Sequence, residues 1–275
     1  MQRITTRNAR FQQFQTLLTN RTKRGRAREF IVQGVRPITM AVEHGWTIRC
    51  LLYDASRPLS RWAEELMRGT AAERIAMAPD LLAELSEKAE GAPEVLAVVG
   101  MEPDDLSRIR VDDDFLGLVF DRPTQPGNIG SIVRSADAFG ARGLVVTGHA
   151  ADPYDPKAVR ASTGSFFALP VVRTPSHREV VQWLDAERGR GRPVLVVGTD
   201  EDGECDASEF DLTRPVLLLI GNETAGLSNA WREHCDHVVG IPMTGSASSL
   251  NASNAASIVL YEARRQRLAK LRARG

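Results

Sequence analysis

The stretch IPMTGSASSLNASNAASIVLYE, residues 241–262, decides the fold of the second half of this 275-residue chain. It begins with the apolar end of a strand, Ile241-Pro242-Met243, and continues through a run of small and polar residues. It ends as an amphipathic helix that carries Ile258, Val259 and Tyr261. Small side chains let a backbone approach a ligand closely, so this stretch predicts a ligand-binding loop where a core helix begins.

Upstream of this stretch, apolar strands alternate with helices. The predicted strands are FLGLVF (115–120), GLVVTG (143–148), PVV (170–172), PVLVVGT (193–199), PVLLLIG (215–221) and HVVGIP (237–242). Two helices are predicted from Ile129 to Phe139 and from His177 to Glu187. Others are predicted near Val159, around Trp231 and at the end of the chain. Strands that are apolar on both faces and joined by helices predict an α/β domain with a mostly parallel, covered sheet.

Glycine-rich segments follow three of these strands, where ligands bind in parallel sheets. They are Gly198-Thr199, residues 221–226 (GNETAG) and Gly245. The chain has no G-x-G-x-x-G after a strand, no phosphate-binding P-loop and no G-x-S-x-G. These absences argue against dinucleotide, P-loop and esterase chemistry. Backbone amides and carbonyls of small-residue loops suit an adenosine-like ligand with little charge.

The first half predicts a smaller α/β domain over residues 1–105. Phe11, Phe14, Leu17 and Leu18 form one face of a helix in RNARFQQFQTLLTN (7–20). Further helices are predicted at 35–45, Arg61–Arg68 and Leu81–Lys88, and strands at EFIVQG (29–34), TIRCLLYD (47–54) and EVLAVV (94–99). A polar, charged linker is predicted over 106–114, and the second domain over 115–275.

Charge is balanced overall but unevenly distributed. The chain has 35 Lys and Arg against 35 Asp and Glu, with ordinary globular proportions of hydrophobic (43%) and charged (25%) residues. Over residues 1–36 the cations are Arg3, Arg7, Arg10, Arg21, Lys23, Arg24, Arg26, Arg28 and Arg36, against Glu29 alone. The last stretch adds a basic end from Arg264 to Arg274. Basic ends predict a surface that faces a polyanion, and a solvated basic surface without a partner is the alternative.

Several classes of protein are excluded by composition. The three cysteines, Cys50, Cys205 and Cys235, imply no disulfide framework. Without a signal peptide or a long apolar run, the sequence predicts a cytoplasmic protein with no membrane partner. The run 234–237 (HCDH) is predicted not to bind metal, because adjacent side chains point apart and no second Cys/His pair stands at a suitable spacing.

Three ordered motifs resemble those of the SpoU (TrmH-type) branch of the SPOUT RNA 2′-O-ribose methyltransferases. They are DRPTQPGNIGSIVRSADAFGA (121–141), LLLIGNETAGLS (217–228) and IPMTGSASSLNASNAASIVLYEARRQR (241–267). The resemblance covers the whole second domain. The first domain resembles the ribosomal-protein-like RNA-binding module that many of these enzymes carry at the N-terminus.

The family resemblance implies a trefoil knot, an exception to the rule that chains do not thread loops. The knot crossing forms the S-adenosylmethionine site, and the small residues of 244–257 suit such a crossing. By resemblance the backbone at Gly221, Ile241 and Leu250 holds the cofactor, with Thr199 and Met243 nearby. Core packing is the alternative interpretation for Ile241 and Leu250.

The resemblance also implies a catalytic set. Arg134 is the catalytic candidate, and Asn128 shapes the loop of the first motif. Glu223 braces that loop or orients Arg134, while Ser249 and Asn251 contact the ribose or order Arg134. Helix capping is the alternative for Ser249 and Asn251, and a solvated surface arginine is the alternative for Arg134. An arginine is a poor base, so we expect electrostatic stabilisation of the developing alkoxide, with the substrate phosphate taking part in proton transfer.

The implied substrate is 23S rRNA of the large subunit, methylated on the ribose of a uridine. The implied role is resistance to a ribosome-targeting antibiotic, and routine rRNA maturation is the alternative. Predicted RNA contacts are Arg7, Arg21, Lys23, Arg24, Arg26 and Arg28, and NRTKRGRARE (20–29) is predicted to be a mobile clamp. The family implies a homodimer through the knotted domain, with Ile258, Val259, Leu260 and the 129–139 helix as candidate contacts. Packing in the core of the same chain is the alternative for both helices. The alternative function is a catalytically silent RNA-binding adaptor on the same scaffold.

Overall fold

The structure is a computed structural model that describes residues 2–86 and 93–273. The chain divides into two compact units. Unit 1 contains Met1–Glu102 and Tyr154–Ala168, and unit 2 contains Pro103–Pro153 and Leu169–Gly275. The end of the predicted Leu81–Lys88 helix and Arg274 of the basic end lie outside the described residues.

Unit 1 is an α/β unit around a five-stranded mixed sheet. Helices and strands are numbered along the whole chain. Its strands are β1 (Gln2–Ile4), β2 (Glu29–Gln33), β3 (Ile48–Asp54), β4 (Glu73–Met77) and β5 (Val95–Gly100), in the order β1-β4-β3-β5-β2. Its helices are α1 (Ala9–Thr19), α2 (Arg21–Ala27), α3 (Val35–Glu43), α4 (Arg61–Gly69), α5 (Pro79–Glu84), α7 (Pro156–Ala161) and α8 (Ser165–Ala168). Strands β1, β3 and β4 are parallel, whereas β5 runs antiparallel to β3 and β2.

Helix α1 follows the predicted periodicity. Phe11, Phe14 and Leu17 are buried in the core of unit 1. The Asn8 side chain caps the helix by accepting a hydrogen bond from the Phe11 N–H at 3.0 Å. The predicted helix over this segment is therefore confirmed.

Residues 154–168, predicted to belong to the second domain, pack within unit 1. Tyr154, Phe166 and Phe167 join Phe30 and Trp46 in an aromatic cluster, with the Phe30 and Tyr154 rings 5.0 Å apart. The Trp46 indole N–H also donates to the Phe167 carbonyl at 3.0 Å. Burial of these rings explains why residues 154–168 pack in unit 1, because large aromatic side chains stabilise a fold most when they are fully buried.

Unit 2 is built on a seven-stranded sheet. Its strands are β6 (Leu116–Asp121), β7 (Gly143–Thr147), β8 (Val171–Thr174), β9 (Leu195–Thr199), β10 (Cys205–Asp206), β11 (Val216–Ile220) and β12 (His237–Gly240), in the order β10-β12-β9-β11-β6-β7-β8. Its helices are α6 (Pro126–Ala138), α9 (His177–Gly189), α10 (Asn229–Arg232) and α11 (Ala252–Arg272). Every pair of neighbouring strands is parallel, which confirms the predicted α/β fold.

The segment predicted as a linker, 106–114, is part of unit 2. Leu106–Arg108 forms a short 3-10 helix, and Ile109 and Val111 are buried in the core of this unit. The segment is polar in sequence, but these two apolar side chains fix it to the unit. The division between the units falls between Glu102 and Pro103 instead.

Candidate cofactor and active site

A cavity of about 490 Å³ lies at the carboxyl ends of β9, β11 and β12. All five residues predicted to hold the cofactor line it: Thr199, Gly221, Ile241, Met243 and Leu250. Its volume falls within the range typical of small-molecule sites. The sheet therefore brings three separate segments of the chain, 199–202, 220–226 and 239–255, to one ligand-sized cavity.

The GNETAG loop, residues 221–226, forms one wall of the cavity. Asn222 and Gly226 exchange two backbone hydrogen bonds, each 3.0 Å long. A Cβ atom at Gly221 would lie 2.5 Å from the Gly226 carbonyl carbon, closer than real Cβ atoms come to other atoms. Glycine is therefore required at position 221 for this close approach of two backbone segments.

The segment after β12 forms the opposite wall. The backbone of residues 243–250 makes no hydrogen bond with any other part of the chain that the structure describes. Met243 and Leu250 are each 37% exposed, so core packing does not describe them. Ile241 is half-buried. This wall offers backbone donors and acceptors next to apolar side chains, which suits a nucleoside with a sulfur-containing aliphatic tail.

Glu223 braces the first motif against the GNETAG loop. Its carboxylate accepts hydrogen bonds from the Thr124 N–H (2.9 Å) and hydroxyl (3.0 Å), the Gln125 N–H (3.1 Å) and the Asn128 amide (3.1 Å). Burial acts to raise the pKa of the Glu223 carboxyl, but these hydrogen bonds outweigh burial and hold the pKa below its ordinary value. Of the two predicted roles, bracing the loop is the one that this geometry supports.

Asn251 joins the third motif to the first. Its Oδ1 caps α11 by accepting from the Ser253 N–H at 2.9 Å, as the capping alternative proposed. Its Nδ2 donates to Asn128 Oδ1 at 3.2 Å. Glu223, Asn128 and Asn251 thus form one chain of hydrogen bonds that links the three motifs.

Arg134 and Ser249 lie apart from this chain of hydrogen bonds. Arg134 is exposed on α6 and forms no hydrogen bond or ion pair with the described residues. Ser249 lines the cavity and is exposed, but its side chain also lacks a partner among the described residues. Neither Glu223 nor Asn251 orients Arg134 in this structure, so its guanidinium is available to a ligand.

Two residues missed at the sequence level, Asp121 and Arg122, fix the end of the GNETAG loop and the residues after it. Asp121, buried at the end of β6, accepts hydrogen bonds from the Ser228 N–H at 3.0 Å and from Arg122 Nε at 3.1 Å. Arg122 adopts a left-handed backbone (φ 49°) and reaches the Gly226 carbonyl at 3.3 Å. Such a conformation is costly for arginine and persists only where the surroundings impose it. The sequence feature that could have revealed them is an Asp-Arg pair directly after the predicted apolar strand FLGLVF.

An acidic rim, residues 200–202 (DED), was also missed. All three residues lie on the loop after β9 and line the cavity. Asp200 is hydrogen-bonded to the Arg232 guanidinium, which connects this loop to α10. Three consecutive acids after a predicted strand could have signalled a site that attracts a cationic ligand.

Family models match both halves of the chain. The SpoU L30e-like domain matches residues 8–97, and the SpoU rRNA Methylase family matches residues 116–261. The chain belongs to the SpoU rRNA methylase family. It is 68% identical over 266 residues to a 23S rRNA (uridine(2479)-2′-O)-methyltransferase of Streptomyces viridochromogenes, covering 97% of this chain and 93% of that protein.

Solved structures extend this similarity. The SpoU methyltransferase AviRb from Streptomyces viridochromogenes, solved with the cofactor AdoMet (S-adenosylmethionine), has a TM-score of 0.92 at 68% identity, covering 95% of this chain and 99% of that one. An AdoMet-bound rRNA methyltransferase from Sinorhizobium meliloti has a TM-score of 0.85 at 28% identity, covering 96% and 97%. Both similarities span the L30e-like and the methylase domains.

In the L30e-like domain the structure corrects the predicted RNA contacts. NRTKRGRARE is not a mobile clamp, since Arg21–Ala27 forms helix α2 with Asn20 as its N-cap. Arg24 is buried, and its guanidinium donates to the Leu17 and Leu18 carbonyls, both at 3.0 Å. Arg24 is therefore a structural residue that a phosphate does not reach.

The other predicted RNA contacts are exposed. Arg21, Lys23 and Arg26 project from α2. Arg7 forms an ion pair with Glu84 at 2.8 Å, and Arg28 donates to the Glu102 carbonyl at 3.0 Å. Exposure thus keeps all three α2 cations as candidates for RNA contact.

Metal-binding clusters and membrane-spanning helices are both absent from the described residues. No group of three or more His, Cys, Asp or Glu side chains among them is placed to hold a metal ion. No helix within residues 2–86 and 93–273 has the length and apolar character needed to cross a bilayer.

Proposed function

We propose that this SpoU methylase transfers a methyl group from S-adenosylmethionine to the ribose 2′-oxygen of a uridine in 23S rRNA. The observation that carries the proposal is the cavity lined by all five residues predicted to hold the cofactor. The relative that shares 68% identity bears this activity in its name, and AviRb was solved with AdoMet.

The residues around the cavity fit S-adenosylmethionine. The cofactor, when bound, supplies a methyl group on a positively charged sulfur. The backbone of Gly221, Ile241 and Leu250 holds its adenosine part, since all three residues line the cavity. Leu250 belongs to the segment 243–250, whose backbone groups are unpaired within the described chain. The acidic rim, residues 200–202, favours a ligand with positive charge.

Arg134 stabilises the reacting oxygen. Its pKa above about 12 makes it a poor proton acceptor. Its charge instead stabilises the alkoxide that develops as the ribose hydroxyl loses its proton, and a phosphate oxygen of the RNA takes part in accepting that proton. Ser249, exposed at the cavity, contacts the ribose. The hydrogen-bonded chain Glu223–Asn128–Asn251 keeps the first motif in position for this step.

The proposal includes a homodimer of knotted methylase domains in the cytoplasm. Val259 and Leu260 are fully buried within unit 2, so the prediction that they form the dimer contact is wrong. Ile258 and Tyr261 are 43% and 56% exposed on α11, and Tyr261 packs edge-to-face on Phe139 beside α6. These side chains form an apolar patch that a second copy would cover. The trefoil knot and the role in antibiotic resistance stay predictions.

Methyl transfer to a 23S rRNA transcript tests the proposal against the silent-adaptor alternative. We expect label from methyl-labelled S-adenosylmethionine to enter the RNA at a ribose. An adaptor would bind the transcript but transfer no label. Calorimetric titration with S-adenosylmethionine then distinguishes an adaptor that lacks the cofactor site from an enzyme given the wrong RNA.

A further inference from the structure

Exposed cations from two distant segments of the chain meet in unit 1. Helix α2 presents Arg21, Lys23 and Arg26, and helix α7 presents Lys157 and Arg160. We name these five residues the α2–α7 basic face. The match to the SpoU L30e-like domain ends at residue 97, so α7 lies outside it.

Buried Arg24 fixes α7 beside α2. Its guanidinium donates to the Leu17 and Leu18 carbonyls at the end of α1, and it lies 3.5 Å from the Asp155 carboxylate. Asp155 in turn caps α7 by accepting a hydrogen bond from the Lys157 N–H at 3.0 Å. The ion pair between Arg24 of α2 and Asp155 therefore fixes the first turn of α7, which carries Lys157, next to α2.

The other end of α7 is also packed on this side of the unit. Val159 and Arg160 lie around a small gap together with Leu18 and Ile31. Leu18 belongs to the last turns of α1, directly before α2. Both ends of α7 are thus next to the junction of α1 and α2. The cations of α2 and α7 therefore lie on the same side of unit 1.

The α2–α7 basic face carries an excess of positive charge. Neither α2 nor α7 contains an acidic residue, and Asp155 is engaged by Arg24. Lys23, Arg26 and Lys157 form no ion pair within the part of the chain that the structure describes, and the excess of charge rests on these three side chains. Elsewhere in unit 1, cations lie against carboxylates, as in Arg7–Glu84 and Arg61–Glu65, both at 2.8 Å.

We propose that Lys157 and Arg160 bind rRNA phosphates together with Arg21, Lys23 and Arg26, as one continuous surface. This proposal rests on the proposed function, because it takes 23S rRNA as the partner. Clustered Lys and Arg side chains bind nucleic acid by neutralising phosphates and releasing counterions. Residues 154–168 thus add phosphate contacts that the L30e-like domain does not supply by itself.

The test compares two variants that lose equal charge. Lys157→Ala with Arg160→Ala is expected to weaken binding of a 23S rRNA transcript on the order of tenfold at about 0.1 M salt. The slope of log affinity against log salt should fall by about one to two units, since about two phosphate contacts are lost. The control is Arg61→Ala with Arg68→Ala on α4, whose side chains pair with Glu65 and Glu64. We expect the control to bind as the parent does.

The outcomes separate this proposal from the proposed function. Parental affinity and slope in the α7 variant would overturn the α7 contacts, whatever the activity of the enzyme. If the α7 variant binds RNA weakly but the parental protein transfers no methyl group, the methyltransferase function would be overturned. The RNA-binding role of the α2–α7 basic face would then still be supported. Lys157→Arg with Arg160→Lys retains the charge and is expected to bind normally. Weak binding by this conservative variant would point to a packing defect and contradict a role for charge.

Discussion

Gly221 lies where the backbone of the GNETAG loop leaves no room for a side chain. A Cβ atom there would be 2.6 Å from the Leu227 nitrogen as well as 2.5 Å from the Gly226 carbon. We expect Gly221→Val to displace this wall of the cavity and abolish binding of S-adenosylmethionine, measured by calorimetry. Gly189→Val is the matched control, because a Cβ at Gly189 meets nothing within 4 Å and this residue, at the end of α9, does not line the cavity. Unchanged cofactor affinity in Gly221→Val, with both variants folded by circular dichroism, would refute the cofactor site.

Arg134 is an exposed cation without a partner among the described residues. We expect Arg134→Ala to lower kcat for RNA methylation far more than tenfold while leaving the Kd for S-adenosylmethionine nearly unchanged. Tenfold corresponds to about 1.4 kcal/mol of activation free energy, which is small for a group that stabilises a developing charge. Arg178→Ala, which removes an exposed arginine from α9, should keep parental turnover. A loss smaller than tenfold in Arg134→Ala would show that the catalytic assignment is wrong.

At the scale of elements, Arg24 ties α1, α2 and α7 together. Replacing it by methionine leaves the Asp155 carboxylate without its cation and removes hydrogen bonds to two carbonyls. We expect Arg24→Met to lower the free energy of unfolding of unit 1 by about 2–3 kcal/mol, measured by urea denaturation. Lys23→Ala, one residue away and exposed, should change it by less than about 0.5 kcal/mol. Equal stability of the two variants would contradict the structural role of Arg24.

Glu223 holds the N-terminus of α6 against the GNETAG loop, and its depressed pKa makes this brace depend on pH. A carboxyl whose pKa is lower in the folded protein stabilises it above the ordinary pKa of 4.5, and this contribution is lost as the pH falls through the folded value. We therefore expect Glu223→Gln to lower the Tm at pH 7, and the difference from the parent to shrink below about pH 4.5.

Glu233→Gln serves as the control for this pH dependence, because Glu233 is exposed and its side chain has no hydrogen bond in the described chain. Its Tm should follow that of the parent over the whole range. A difference between Glu223→Gln and the parent that is constant with pH would mean that the charge of Glu223 does not matter.

Much of this architecture was predictable because local patterns carry it. The helix face of Phe11, Phe14 and Leu17 appears as a helical periodicity. The buried strands of unit 2 appear as short continuous apolar runs. Strands β1 and β4 were missed since one is three residues long and the other begins with Glu73 and Arg74. The burial of Arg24 was unpredictable, because its carbonyl partners and Asp155 are brought together only by the fold. The same holds for residues 154–168, whose aromatic partners Phe30 and Trp46 are distant in sequence.

At the scale of the whole molecule, the apolar patch of Ile258 and Tyr261 predicts self-association. We expect the parent to sediment as a dimer at micromolar concentration and Ile258→Asp to sediment as a monomer with little methylation activity, because a buried charge opposes the contact. Leu271→Asp, at a 60% exposed position near the end of the same helix, should remain a dimer. A monomeric parent with full activity would contradict the dimer.

Mapping of ribose methylation shows most directly whether this chain methylates a ribose in 23S rRNA. A methyl group on the 2′-oxygen protects the adjacent phosphodiester from alkaline cleavage, because the attacking hydroxyl is gone. We predict one protected uridine in 23S rRNA from cells that express the parental protein, and none from cells that express Arg134→Ala. Identical cleavage patterns in the two rRNAs, or a methyl group found on a base instead of a ribose, would contradict ribose methylation by this protein.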